Sequence, residues 1–136
     1  MTRISDYCLR FGVLAGLAGM GLGIAMAASH DHSQMPLHAH VNLLGWVSMV
    51  LYGLVYRVIP AAGASALARW QFLMAAAGII VMVPGLGFIG AGNQEMGEPF
   101  AVVGSLLTIA AMVLFVTVVF RATGSAAARP AIQPAE

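Results

Sequence analysis

Residues 100–120 read FAVVGSLLTIAAMVLFVTVVF and contain no charged side chain. An α-helix needs roughly 20 apolar residues to cross the hydrocarbon core of a bilayer, so this stretch is long enough to span a membrane. The rest of the sequence has the same character, since 60% of all residues are hydrophobic and 8% are charged. Such a composition is typical of membrane proteins rather than of soluble globular domains.

Three further apolar stretches are also long enough to span, at about residues 11–28, 37–59 and 70–90. In none of these stretches do apolar and polar residues alternate with period two, as they do in a barrel strand. Because unpaired backbone groups are costly in lipid, helices are expected. The sequence therefore predicts an all-α integral membrane four-helix bundle over residues 1–122. The Ala/Pro-rich residues 123–136 are predicted to form a disordered cytoplasmic tail.

The basic residues are all arginines and fall on one side of the predicted bundle: Arg3, Arg10, Arg57, Arg69, Arg121 and Arg129. The positive-inside rule then places both termini in the cytoplasm and the connections 29–37 and 91–99 outside. The expected location is a bacterial-type inner membrane. The sequence contains no phosphate-binding loop, and no basic patch of the kind that binds nucleic acid.

Glycines recur along the first span at spacings of three and four residues: Gly12, Gly16, Gly19 and Gly23. Small residues at these spacings let membrane helices approach closely, so a packing role is expected. The Ala25-Met26-Ala27 triplet near the end of this span also fits a cleavable signal peptide, an alternative that the sequence leaves open.

Aromatic and methionine side chains are expected to have structural roles. Four aromatic residues near the predicted inner interface should anchor the bundle at the membrane surface: Tyr7, Tyr52, Tyr56 and Trp70. Most of the nine methionines lie in the apolar spans, where they are expected to face lipid or fill the core.

All four histidines lie within residues 30–40, HDHSQMPLHAH, at the predicted outer side. His30 and His32 belong to the connection, whereas His38 and His40 should open the second helix, after Pro36. Titratable side chains are rarely idle inside a membrane. Side chains two positions apart on a helix differ by about 200° around the helix axis and by about 3 Å along it. His38 and His40 should therefore point to opposite faces and serve two different sites.

Residues 38–60, HAHVNLLGWVSMVLYGLVYRVIP, resemble a haem-binding helix of subunit I in the haem-copper oxidase and nitric oxide reductase superfamily. The resemblance rests on the histidine pair and on the run His40-Val41-Asn42-Leu43-Leu44. It implies a low-spin haem b with two histidine ligands, His38 and His40 as axial ligands and Asn42 in the cofactor site. If His38 is not a ligand, Met82 or a loop histidine is the alternative second ligand. Electron transfer or haem handling is the function implied.

The same resemblance implies a homo-oligomer. Subunit I of that superfamily has three arcs of helices, and this chain resembles one arc. A homotrimer, the favoured state, would restore the ring, with His38 of one protomer and His40 of the next holding one haem. His30 and His32 would then contact the propionates or a second metal. Electron transfer would also require a redox partner or a quinone.

Departures from the superfamily pattern limit the expected chemistry. The spans carry no acidic or lysine residue suggesting a proton channel, and no third helix-borne histidine suggesting the copper site. Reduction of oxygen or nitric oxide is therefore not expected, and an enzymatic role is less expected than a non-enzymatic one.

Two other interpretations stay open. The outer side offers four imidazoles together with Asp31, Met35 and Met96, and imidazole with thioether suits copper, so the protein could bind copper or zinc. Alternatively, the chain is a structural or assembly subunit of a respiratory complex, with histidines that bind nothing.

Overall fold

Four long helices make up the chain in the computed structural model, which describes residues 3–127. They are α1 (Arg3–Ser29), α2 (Met35–Val58), α3 (Ala66–Gly90) and α4 (Gln94–Ala127), and a one-turn helix, Pro60–Gly63, links α2 to α3. The described residues contain no strand. Each long helix is apolar and long enough to cross a membrane. The predicted all-α four-helix fold is therefore confirmed, and the chain is a multi-pass membrane protein.

The helices are longer than the predicted spans. The first begins at Arg3 rather than near residue 11, and the fourth at Gln94 rather than near residue 100. Just before the fourth helix, the Asn93 side chain accepts a hydrogen bond from the Met96 backbone N–H (3.2 Å), which satisfies a free donor of the first turn. The helix also continues through residues 123–127, so the predicted tail is wrong there, and residues 128–136 lie outside the described range.

Helices α3 and α4 form a tight hairpin whose contact surface is built from glycines. A Cβ atom placed on Gly104 of α4 would lie 2.6 Å from the Met82 Cβ of α3, and one on Gly85 would lie 2.7 Å from the Ala101 backbone nitrogen. Ser65 caps the start of α3, because its side chain accepts a hydrogen bond from the Ala68 N–H (3.2 Å). Small residues thus bring the backbones together, as is usual between membrane helices.

Two tyrosines expected at the membrane surface are buried instead. Tyr52 and Tyr56 are 5% and 0% exposed, and both rings contact Phe115 of α4. The Tyr56 hydroxyl donates to the Oε1 of Gln71, which is fully buried (3.0 Å). The expectation of surface anchoring is wrong for this pair, because their side of α2 packs against α3 and α4. Tyr7 and Trp70 are exposed.

Arginines and histidines lie at opposite ends of the bundle. Arg57, near the end of α2, forms an ion pair with Asp6 in the first turns of α1. Arg3 and Arg69 line one cavity together with Gly63 of the one-turn helix. We call this the basic end, and we call the opposite end, which carries residues 30–40, the histidine end.

Candidate functional site

Helix α2 begins immediately before the two helix histidines. Its first turn contains Pro36, which fits there because the first backbone N–H groups of a helix have no partner within it. Directly after His40 the backbone becomes a π-helix, Val41–Ser48, before returning to α-helix. The Ser48 hydroxyl follows the wider register and donates to the Leu43 carbonyl, five residues earlier (2.8 Å). π-helical segments are rare and are frequent at functional sites.

The π-helix aligns side chains that are four residues apart. In an α-helix, a residue four positions later lies slightly further around the helix axis than a full turn. A π-helix turns through a smaller angle per residue, so there the same spacing falls slightly short of a full turn, and the two deviations offset each other along α2. Four side chains of α2 therefore lie in one row, each against a glycine of α1: His38 against Gly23, Asn42 against Gly19, Trp46 against Gly16 and Val50 against Gly12. A Cβ added to any of these glycines would come within 3.0 Å of its partner.

His38 is the outermost member of this row and is half-buried against α1. The Asn42 side chain donates to the His38 carbonyl oxygen (2.8 Å) and lies 3.5 Å from the imidazole Nδ1. Asn42 is itself held against Gly19. In this arrangement Asn42 supports the turn that carries His38, and its amide is already engaged within the protein.

His40 lies on another side of α2 and lines an open cleft between α2, α3 and α4. Its Nδ1 is 2.7 Å from the carbonyl oxygen of Pro36. A carbonyl oxygen can only accept, so Nδ1 carries the proton and donates, which leaves the Nε2 lone pair of the neutral ring available. Metal-binding histidines commonly have this backbone hydrogen bond, because it fixes both the tautomer and the ring orientation.

The cleft at His40 has a volume of about 290 Å³ and contains two thioethers, from Met82 and Met112. Met82 is 4% exposed, whereas Met112 is 43% exposed. Two hydroxyls also line the cleft, but those of Ser105 and Thr108 donate to backbone carbonyls one turn earlier on α4, at 2.8 Å each. Of the side chains that line this cleft, His40, Met82 and Met112 are therefore the ones whose chemistry suits metal ligation.

His30 and His32 are exposed in the connection between α1 and α2. His30 has a φ of 57°, in the left-handed region, where the chain reverses direction. Between them, Asp31 Oδ1 accepts a hydrogen bond from the Ser33 backbone N–H (2.9 Å). That hydrogen bond lowers the pKa of Asp31, with a smaller contribution from His32. The connection therefore keeps a negative charge between its two imidazoles.

The structure separates the histidines that the sequence places close together. Within the described residues, no three side chains among His, Cys, Asp and Glu come together to hold a metal ion. The histidines instead occupy three environments: the α1 face for His38, the cleft for His40, and solvent for His30 and His32. A metal bound by one chain would need thioethers or a further ligand.

From the sequence, Met82 and Met112 are both assigned to packing, and Met82 is considered as a haem ligand only as an alternative to His38. The sequence contains only weak signals for their position beside His40. Met82 lies two residues before Pro84. Met112 lies on the same face of α4 as Ser105, Thr108 and Ile109. Neither pattern indicates which face of an apolar helix meets α2. Their position beside His40 follows only from the packing of three helices.

Comparisons with protein-family models, with curated proteins and with solved structures found no match to this chain.

Proposed function

We propose that the chain is a haem b-binding membrane protein whose α2 supplies the axial histidines, and that it serves electron transfer or haem handling. The observation that carries the proposal is the state of His40. Its Nδ1 proton is held by the Pro36 carbonyl, and its ring lines a cleft next to Met82. The local likeness of residues 38–60 to a haem-binding helix of the haem-copper oxidase superfamily adds support.

The size of the cleft supports a haem pocket to which one chain contributes only a part. About 290 Å³ lies at the lower limit of small-molecule sites, and the cleft is open on one side. A second chain would close it, which fits the proposed homo-oligomer. In a closed ring, His40 of one protomer and His38 of its neighbour are the two ligands, and a trimer is the favoured ring.

The other residues of the histidine end have secondary roles in this proposal. Asn42 positions the turn that carries His38, rather than contacting the cofactor directly. The exposed imidazoles of His30 and His32 would meet the haem propionates, since Arg3, Arg57 and Arg69 lie at the basic end. A haem iron with both axial positions filled exchanges one electron without needing an open coordination site.

The proposal includes a location and partners. The basic end faces the cytoplasm of a bacterial-type inner membrane, and the histidine end faces the periplasm. The haem would exchange electrons with a redox partner or a quinone, and no catalytic turnover is assigned to the chain.

A second candidate function is copper binding, favoured by the cleft donors. Thioether and imidazole ligands select Cu(I), and His40, Met82 and Met112 supply both kinds. This set differs from the one that the sequence offered, which combined all four histidines with Asp31, Met35 and Met96. Zinc is less suited to such a set, because it prefers thiolate, imidazole and carboxylate ligands.

Absorbance spectra and metal analysis of the full chain, purified in mild detergent, test these proposals together. A Soret band with a sharp reduced α-band would support haem binding. Colourless protein with one copper per chain would overturn the haem proposal and support the second candidate. Protein that binds neither haem nor copper when supplied with each would overturn both, and would favour a structural or assembly subunit.

A further inference from the structure

The crevice between α1 and α3 has a chemical gradient along its length. At the basic end it opens into a cavity of about 590 Å³ lined by Arg3, Arg69, Tyr7 and Phe72. Further toward the histidine end, the same two helices line a second cavity of about 400 Å³, with an apolar wall that includes Leu14, Ala18, Ile80 and Pro84. The crevice is thus cationic at one end and apolar beyond it.

Both arginines are available to a ligand. Within the described residues, neither Arg3 nor Arg69 has an ion-pair or hydrogen-bond partner, whereas Arg57 is paired with Asp6. No acidic side chain lines the cavity that they share. Two unpaired guanidinium groups at one cavity attract an anion, and phosphate matches their hydrogen-bonding geometry.

Aromatic rings lie between the two cavities and line both. Phe72 of α3 stacks on Tyr7 (ring centroids 6.0 Å apart) and meets Phe11 edge to face (6.5 Å), and Phe11 lines the apolar cavity. The wall that α1 provides extends from Tyr7 to Ala18, about 16 Å along a helix axis at about 1.5 Å per residue. That length suits one lipid acyl chain lying parallel to the helices.

We propose that this crevice binds one anionic phospholipid, with its phosphate between Arg3 and Arg69 and one acyl chain along the apolar cavity. The charge at the mouth argues for this occupant over a quinone, which has no anionic group to meet the arginines. The arginines also lie at the ends of apolar spans, the depth of lipid headgroups, and basic pockets between membrane helices are known headgroup sites. The proposal does not depend on haem binding.

Native mass spectrometry of the full chain, delipidated and then supplied with equal amounts of phosphatidylglycerol and phosphatidylcholine, tests the proposal. One phosphatidylglycerol should be retained preferentially. Arg3→Gln and Arg69→Gln should each weaken its binding about fivefold, and the double variant about thirtyfold. Arg10→Gln removes an exposed arginine of α1 that does not line the crevice, and should leave binding unchanged.

A second pair of variants tests the acyl-chain position. Ala18→Phe fills the apolar cavity and should reduce phosphatidylglycerol retention, whereas Val13→Phe, on the exposed surface of α1, should not. Equal retention of both lipids by the unmodified protein would overturn the proposal. The proposal would also be overturned if inorganic phosphate competed fully with phosphatidylglycerol and Ala18→Phe had no effect on retention. That result would describe a simple anion site. Disulfide cross-linking of two Ala18→Cys chains in lipid would assign the crevice to a second copy and also overturn it.

Discussion

His38 and His40, separated by one alanine, lie on different sides of α2: the His38 ring contacts Gly23 of α1, and the His40 ring lines the cleft between α2, α3 and α4. A chain in this arrangement cannot direct both imidazoles at one ion. Each ring also has its own support, from Asn42 at His38 and from the Pro36 carbonyl at His40. The two histidines therefore lie in separate environments, which is the arrangement that the proposed ligand sharing between protomers requires.

Replacing Gly19 with alanine should destabilise the α1–α2 contact. The added Cβ would lie 2.5 Å from the Asn42 amide, so Asn42 must move away from the turn that carries His38. Overpacking of this kind costs about 1–3 kcal/mol. The apparent melting temperature in detergent should therefore fall.

Gly21→Ala is the matched control, because it makes the same change two residues away, where a new Cβ meets nothing within 4 Å. It should leave the melting temperature unchanged or raise it slightly, since alanine is the better helix former. Equal melting temperatures for the two variants would show that the α1–α2 contact is looser than described.

Removing the hydroxyl of Tyr56 should destabilise the core at the basic end. Gln71 is fully buried, its Oε1 accepts from this hydroxyl, and its Nε2 has no partner within the described residues. Tyr56→Phe leaves the whole amide without a partner, which costs about 1–3 kcal/mol. Adding Gln71→Met should recover most of that loss, and a double-mutant cycle of unfolding free energies measures it. A double variant less stable than Tyr56→Phe alone would contradict the assignment.

The sequence was sufficient to predict what depends on length, composition and helix geometry. It predicted four helices, the glycine contacts of α1, and the divergence of His38 and His40 around α2. Each of these follows from a local property, such as an apolar run or an angle per residue.

Features that depend on neighbouring helices could not be predicted. Tyr52 and Tyr56 were expected at the surface, because a helix that is apolar all round does not indicate which side packs inward. Met82 and Met112 join His40 only through the packing of α2, α3 and α4. The π-helix after His40 had no signal that we could recognise in the residues Val41–Ser48.

Cysteine labelling in intact cells should place the histidine end outside. Ser33→Cys and Gln94→Cys, both exposed, should react with an impermeant maleimide, whereas Ala64→Cys should react only after permeabilisation. The native Cys8 is fully buried and gives a low background. Labelling of Ala64→Cys in intact cells would reverse the proposed orientation.

The haem-loaded protein should be a closed homo-oligomer, most readily a trimer, in native mass spectrometry. The reason is that the cleft at His40 is too small and too open to enclose a haem within one chain. Haem removal should weaken the assembly, because each shared haem links two protomers. A monomer that keeps a full complement of low-spin haem would exclude ligand sharing.

Alanine substitution of each histidine tests ligation directly. In a symmetric ring every haem uses one His38 and one His40, so His38→Ala and His40→Ala should each remove an axial ligand from every haem. Both variants should lose the low-spin spectrum to a similar degree. His30→Ala and His32→Ala change exposed residues of the connection and should leave that spectrum nearly intact, with at most a shifted reduction potential.

The methionines of the cleft separate the remaining interpretations. Met82→Leu and Met112→Leu keep side-chain bulk but remove sulfur, so they should not alter a haem held by two histidines, whereas copper binding at His40 should be lost in both. A third possible outcome is that His40→Ala abolishes haem binding and His38→Ala leaves haem binding unchanged. If Met82→Leu then also removes the low-spin spectrum, the ligands are His40 and Met82 of one chain. That outcome would replace the shared-haem ring with a site inside each protomer, and it would leave His38 as a packing residue against Gly23.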